Sequence, residues 1–466
     1  VAVLYFDNLS QDTSDAYLAD GLTEEITSRL GELPRLQIKR PGRHATRRLR
    51  DTVPDYLVAL GRILRVRYLV EGSVRRAGAR VRVSARLLNA RDGFRVWSAD
   101  YDRASSDLLV VQEEIARQVA TGIAGRLTPG ERANLAARPT LSPEAYEHYL
   151  RGNHLIAERT PTSAARAIEE YRAALRFDPA FSRALGRIAY AYAMFLQWGW
   201  EYPGVPSDSL LVRGLTAVAE GLARDSTVSD TWMALGYLRT AQYPRALAGV
   251  LEAYERAIAL DRFNAEALHQ YGSALASLER DSNASVVLHQ ALAIEPQRPV
   301  TLYELSYIDL INRRFAASRG WADSLVAIDP TSFLGYEQRG LARFELGDTV
   351  GARRDGESAV QLGSREVAEA LLAVVDAAVH DTVSARTRIE RLRAAIKNVD
   401  RLSAFESTAL AYALLAVGDT TAALDALERT EPRGRFLLYG IRSLVGLQPS
   451  PRLARLINEI RTASDR

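Results

Sequence analysis

The stretch "AIALDRFNAEALHQYGSALASLERDSNASVVLHQALAIEP" (257–296) states the same phrase twice. An apolar run closes on an acid at Asp261 and again at Glu295. The phrase returns at Asp329, and in altered form at Gly363, so the three intervals are 34, 34 and 34 residues. Earlier phrase ends are Asp178 and Asp225, and later ones are Asp400 and Glu431. Small residues stand eleven positions after these marks, at Ala189, Gly236, Gly272, Ser306, Gly340 and Ala411, where two helices have to approach closely. Prolines follow several marks directly, at Pro179, Pro296, Pro330 and Pro432, where a helix has to stop.

A helix–turn–helix period of 34 residues resembles the tetratricopeptide (TPR) repeat. The match covers about 320 residues, 143–463, as about eight repeats and a terminal helix near 451–462. Repeat two is too long, with 47 residues between Asp178 and Asp225, and the repeats after 363 are irregular. Each helix pair buries its apolar face only against neighbours, so the expected product is an all-α superhelical solenoid with a concave groove. The resemblance implies that the first helix of each repeat lines that groove. This places Tyr190, Met233, Tyr237, His269, Tyr303, Tyr307 and Phe344 there, as exposed anchors for a protein or peptide ligand. The alternative is that several of these rings only pack between repeats. "FLQWGWEYPGVP" (195–206) fills the long repeat with Trp198, Trp200 and Tyr202, either as a binding lip or as a plug for the space its insertion makes.

The segment before residue 129 reads differently. "VAVLYF" (1–6) is apolar on both alternating faces, as in a covered strand. Leu18, Leu22, Ile26 and Leu30 form one helical stripe, a short strand ends near Arg40 before Pro41, and a second helix runs from Pro54 with Leu57, Leu60 and Leu64 inward. Val81, Val83, Ala85 and Leu87 then alternate with Arg80, Arg82, Ser84 and Arg86. Gly78 and Asp92-Gly93 mark turns of a three-stranded meander, and a last helix follows Ser105-Ser106-Asp107. The fold class expected is α+β: a small α/β sandwich at 1–128, a linker at 129–142 and the helical array at 143–463.

"YLADGLTEEITSRL" (17–30), "EGSVRRAGARVRVSARLLNA" (71–90), "WSADYDR" (97–103) and "VQEEIARQV" (111–119) resemble the TolB-like amino-terminal domain. That resemblance implies a bacterial signalling context, in which such a domain commonly follows a nucleotide cyclase, a kinase or a winged-helix regulator. It also implies that Val1 lies downstream of such a module.

Charge is uneven. Residues 35–103 hold 18 basic and six acidic residues within a chain of net +3. Arg75, Arg76, Arg80, Arg82 and Arg86 are expected as the solvated face of the hairpin. They could otherwise bind phosphate, or meet an acidic partner, including the chain's own other half. Only Phe94 and Trp97 could stack bases, which argues against nucleic acid.

Cysteine is absent, so disulfides and thiolate chemistry are excluded and no compartment is selected. No 18-residue apolar run crosses a membrane. None of the six histidines pairs at i, i+4, and no GxGxxG, P-loop lysine, GxSxG or HExxH occurs. The expectation is therefore of no enzyme, no cofactor and no metal: a protein-interaction scaffold binding a protein or peptide. The alternatives are head-to-tail self-association into a filament and nucleic-acid binding by 35–103. Asn8 and Asn283 match the glycosylation sequon.

Overall fold

The structure is a computed structural model that describes residues 1–240, 247–278, 280–396, 402, 404–430, 451–452 and 454–455. Asp400, Glu431, Pro432 and most of the terminal helix expected at 451–462 lie outside the described residues. Contacts divide the chain into two compact units. One is Val1–Ala241 with Ala248–Gln270 and His289–Gln297; the other is Gln242–Leu247, Tyr271–Leu288 and Arg298–Arg466.

In the first unit, β1 (Ala2–Val3) and β2 (Asp7–Asn8) both run parallel to β3 (Tyr68–Ala77). β4 (Arg80–Asn89) and β5 (Arg95–Ala104) complete the expected meander, in sheet order β1-β3-β4-β5. Val81, Val83, Ala85 and Leu87 are buried while Arg80, Arg82 and Arg86 are exposed, so period two decides the faces. Gly78 and Gly93 take the positive φ of the two turns. The strand expected before Pro41 shrinks to a single bridge between Ala2 and Lys39.

Helices α1 (Ala16–Gly31), α2 (Arg43–Thr52), α3 (Tyr56–Leu64) and α4 (Leu108–Ala124) surround this sheet. Leu22, Ile26 and Leu30 of α1 are fully buried, and Leu60 and Leu64 of α3 pack with Leu4, Leu69 and Leu88. α2 lacks an apolar stripe; the Arg50–Asp7 ion pair (2.7 Å) ties its end to β2. The segment expected as linker contains α5 (Pro129–Ala136). Thr128 and Glu131 form its capping box, and Pro129 begins its first turn. Leu135 is buried, and its carbonyl accepts from the Arg29 guanidinium of α1.

The rest is helical hairpins: α6 (Pro143–Ala157) with α7 (Pro161–Phe177), α8 (Ser182–Gln197) with α9 (Ser207–Arg224), and α10 (Ser229–Thr240) with α11 (Leu247–Leu260). Next come α12 (Ala265–Ser277) and α13 (Asp281–Ile294). The second unit continues with α14 (Pro299–Ile311) and α15 (Phe315–Ile328), then α16 (Phe333–Glu345) and α17 (Thr349–Gln361). It closes with α18 (Glu366–Ala378), α19 (Thr382–Ala395), α20 (Ala404–Ala416) and α21 (Thr420–Glu428). The starts of α12, α14 and α16 are 34 residues apart, the spacing of the quoted phrase.

The small residues sit where hairpins close. A Cβ on Gly236 would meet the Tyr254 ring at 2.8 Å, and one on Gly272 would meet Leu288 at 2.6 Å. Ser306 instead donates its hydroxyl to the Ser318 carbonyl (3.0 Å). A second regularity lies in the turn inside five of the hairpins. Arg159, Arg313, Gly347, His380 and Gly418 all have φ between 52° and 84°. After Gly347, His380 and Gly418 comes an aspartate, Asp348, Asp381 or Asp419, whose carboxylate caps the next helix.

Two consequences can be measured by denaturant unfolding. Gly272→Leu has no room and should cost about 1–3 kcal/mol. His380→Gly relieves a left-handed side-chain conformation at a position where glycine stands in two sister turns. It should stabilise by about 0.5–1 kcal/mol, and a loss would contradict the turn geometry.

Candidate interaction surface

The sequence leaves the groove positions either open as anchors or packed between repeats. In the first unit they are closed: Tyr190, Met233, Tyr237 and His269 are all at least nine-tenths buried. The Tyr190 and Tyr237 rings lie 6.0 Å apart. Arg159, turned by its left-handed backbone, reaches Glu266 of α12 (2.7 Å), and Glu266 also accepts from Gln270 (2.9 Å). The cost of burying Tyr190 and Tyr237 is met by packing against each other and by this charged pair nearby.

Helix α1 docks on hairpins of the same unit. Its apolar stripe faces the sheet domain, and its opposite side lies on the hairpin helices. A Cβ at Gly21 would overlap Leu150 of α6, and one at Gly31 would stand 3.1 Å from the Phe263 ring. Between these points the contact is ionic. Asp20 meets His154 (2.8 Å) and Glu25 meets Arg183 (3.3 Å). Glu24 feels both Arg40 and Arg187, although burial outweighs them and pushes its carboxyl up. Arg40 binds Glu295, and Arg262 donates to the carbonyls of Pro34 (2.9 Å) and Leu36 (3.2 Å) just past the end of α1. Tyr17 donates to Glu147 of α6 (2.6 Å), which also accepts from Arg76 (3.0 Å) and Arg151 (2.7 Å). Burial, assisted by Glu147, pushes the Tyr17 phenol up to about 12.

This corrects the reading of the five arginines as one solvated face. In the β3–β4 register Arg75 lies opposite Arg82, whereas Arg76 lies opposite Val81 and so points to the other side. Arg76 meets an acidic partner supplied by the chain itself. Arg80 and Arg82 both pair with Asp102, at 2.7 and 3.0 Å, and Arg86 lies 3.6 Å from Glu71. Phe94 is 75% exposed.

The aromatic loop packs on α8. Phe195 meets Trp200 and Tyr202 edge-on at 5.8 and 5.1 Å, and Trp198 stays near Trp200 but exposed. Asn8 is engaged within its own turn, accepting from Ser10 N (3.0 Å). Asn283 is exposed on α13 beside the buried Ala284.

In the second unit Tyr303, Tyr307 and Phe344 are half-buried. Two glutamates beside Tyr303 were not singled out by sequence. Glu304 accepts from the Ser273 hydroxyl (3.3 Å), and Glu337 from that of Ser364. Burial pushes both carboxyls up to about 7, and no arginine or histidine pairs with either among the described residues. Gln338, also buried, lies against Tyr303, and its Oε1 has no donor. Among the described residues there is no metal-binding cluster, and no helix is long and apolar enough to cross a membrane.

Two outcomes follow. Replacing Arg183 and Arg187 together by alanine should raise hydrogen exchange in α1 while leaving α16–α19 unchanged; unchanged α1 protection would contradict the docking. The raised carboxyls also set a pH trend. The unfolded chain ionises Glu304 and Glu337 near 4.5 and the folded chain near 7, so the folded state binds more protons in between. Their stabilisation is full below about 4.5 and is lost as pH rises to about 7. Glu304→Gln with Glu337→Gln should reduce the stability drop between pH 5 and 8 by about 1–3 kcal/mol in urea melts.

No protein-family model matches the chain. A curated relative from Rhizobium meliloti (strain 1021), named "Putative adenylate cyclase 3", is 32% identical over 232 residues. That match spans 49% of this chain and 37% of the relative. It overturns the expectation of no enzyme, because the relative carries an enzyme's name. Tetratricopeptide-repeat proteins are among the structural neighbours. A repeat protein from Parabacteroides merdae has a TM-score of 0.39 at 15% identity, covering 58% of this chain and 99% of that one. The Cut9-Hcn1 hetero-tetramer of the APC/C has a TM-score of 0.46 at 12% identity, covering 76% and 63%.

Proposed function

We propose that this chain is the protein-interaction part of a bacterial adenylate cyclase system. Its early hairpins hold a TolB-like α/β domain, and the inner face of its second unit takes a protein or peptide partner. The observation that carries the reading is the difference between the two faces. In the first unit Tyr190, Met233, Tyr237 and His269 are sealed and α1 is docked alongside. In the second unit Tyr303, Tyr307 and Phe344 keep partial exposure, and Glu304 and Glu337 near Tyr303 have no cation among the described residues. Half-buried aromatic residues beside desolvated polar groups are the usual anchors of a protein interface. The link to cyclase activity rests on the named relative.

Head-to-tail self-association is a second reading, favoured by β5, a ten-residue strand paired on one side only among the described residues. Nucleic-acid binding by 35–103 has less support, since Arg80, Arg82 and Arg86 already have carboxylate neighbours.

Affinity capture of the intact protein from its own bacterium tests the preferred reading. Tyr303→Ala with Tyr307→Ala should remove the captured partner and alter cyclic AMP output, with the melting temperature monitored. Capture and output both equal to wild type would contradict it.

A further inference from the structure

The α/β domain holds a cavity of about 610 Å³ between α2, the start of α3 and the sheet. Two residue patterns open it. Leu69, Glu71 and Ser73 alternate onto one face of β3, and Leu88, Arg86 and Ser84 stand opposite them on β4. Helix α3 packs where that face is apolar, on Leu69 and Leu88. One step further along both strands the face turns polar, and α2, with no apolar stripe to press down on it, leaves a gap.

Two sets of paired groups line that gap. Arg50 grips Asp7 through both terminal nitrogens (2.7 and 3.3 Å). Tyr56 donates its hydroxyl to Glu71 (3.1 Å), and Arg86 stands 3.6 Å from the same carboxylate. The two sets share one field. Burial first, and then Glu71, pushes the Tyr56 phenol up to about 12, while Arg50 opposes the shift and Asp7 adds to it. The cavity is reachable from water, because the Arg50, Asp7 and Arg86 side chains are 41%, 46% and 57% exposed.

Hydrogen-bonding capacity is left over in both sets. Among the described residues the Arg86 guanidinium makes no hydrogen bond and the Ser73 hydroxyl has no partner, while Asp7 and Glu71 keep lone pairs beyond those in use. A ligand amine or carboxylate would compete with one of the existing pairs. A phosphate would face three carboxylates, Asp7, Asp51 and Glu71. A hydroxyl both gives and accepts, so it can serve a guanidinium and a carboxylate that stay together. Adjacent hydroxyls of a sugar ring match such a pair, and Tyr5 and Tyr56 in the cavity wall offer apolar area to its C–H face.

We propose that this cavity binds a neutral saccharide of one or two rings, its hydroxyls held by Arg86, Glu71 and Ser73. The volume lies within the roughly 300–1,000 Å³ of small-molecule sites. The site belongs to the α/β domain alone and does not rest on the partner reading above.

Isothermal titration calorimetry of the full chain tests this with maltose, cellobiose, lactose and chitobiose, and with glucose 6-phosphate and spermidine as charged comparators. At least one neutral sugar should bind with a Kd on the order of 1 mM or tighter, and more tightly than either comparator. Arg86→Gln should weaken it about tenfold, and Ser73→Leu, which fills the cavity, should abolish it. Arg80→Gln removes the same charge from the same sheet face outside the cavity and should leave binding unchanged. Melting curves show whether each variant is folded; if Ser73→Leu is not, Arg86→Gln decides, since its side chain is mostly exposed. Binding of none of the neutral sugars overturns the proposal, as does tighter binding of a charged comparator or equal weakening by Arg80→Gln.

Discussion

Helix α1 has no free side, and much of the first unit depends on that. Leu22, Ile26 and Leu30 close the sheet domain, and a helix of this length would ordinarily leave its other face to water. Here Asp20, Glu24 and Glu25 face His154, Arg187 and Arg183, and the glycines at 21 and 31 let α6 and Phe263 come close. A face built from carboxylates cannot slide as an apolar one can, because each displaced pair would leave a charge buried without its partner. The contact therefore fixes the placement of the α/β domain on the hairpins within this unit.

The same economy governs the hairpins. A small residue where two helices meet, a left-handed residue in the turn and an aspartate cap recur, so several hairpins are specified locally before they stack. The stack then buries carboxylates along its length and neutralises them with arginine, of which the chain has an abundance.

The hairpin array was legible because a 34-residue spacing is imposed by packing, and packing writes itself into Gly236, Gly272 and Gly340. The meander was legible through parity alone. Parity also contained the fact that Arg75 and Arg76, being adjacent, face opposite sides of β3. Helix α5 announced itself in Thr128 and Glu131, a signal masked by the neighbouring proline and glycine. α2 was illegible, since "RHATRRLRDT" carries no apolar period and its end is held by the distant Asp7. The closure over Tyr190 and Tyr237 was equally hidden. It goes with an arginine arm from another turn, which no local pattern encodes. The likeness to a relative that carries a cyclase's name is one of sequence, over 49% of this chain.

The docking of α1 admits a direct chemical trap. The chain has no cysteine, and a Cβ at position 31 would lie 3.7 Å from that of Phe263, within the range a disulfide spans. Gly31→Cys combined with Phe263→Cys, oxidised mildly at low concentration, should form an intramolecular disulfide in nearly every molecule, seen as a reducible gel shift. Two free thiols, or cross-linked dimers in place of the internal bond, would show that α1 does not rest on the hairpins.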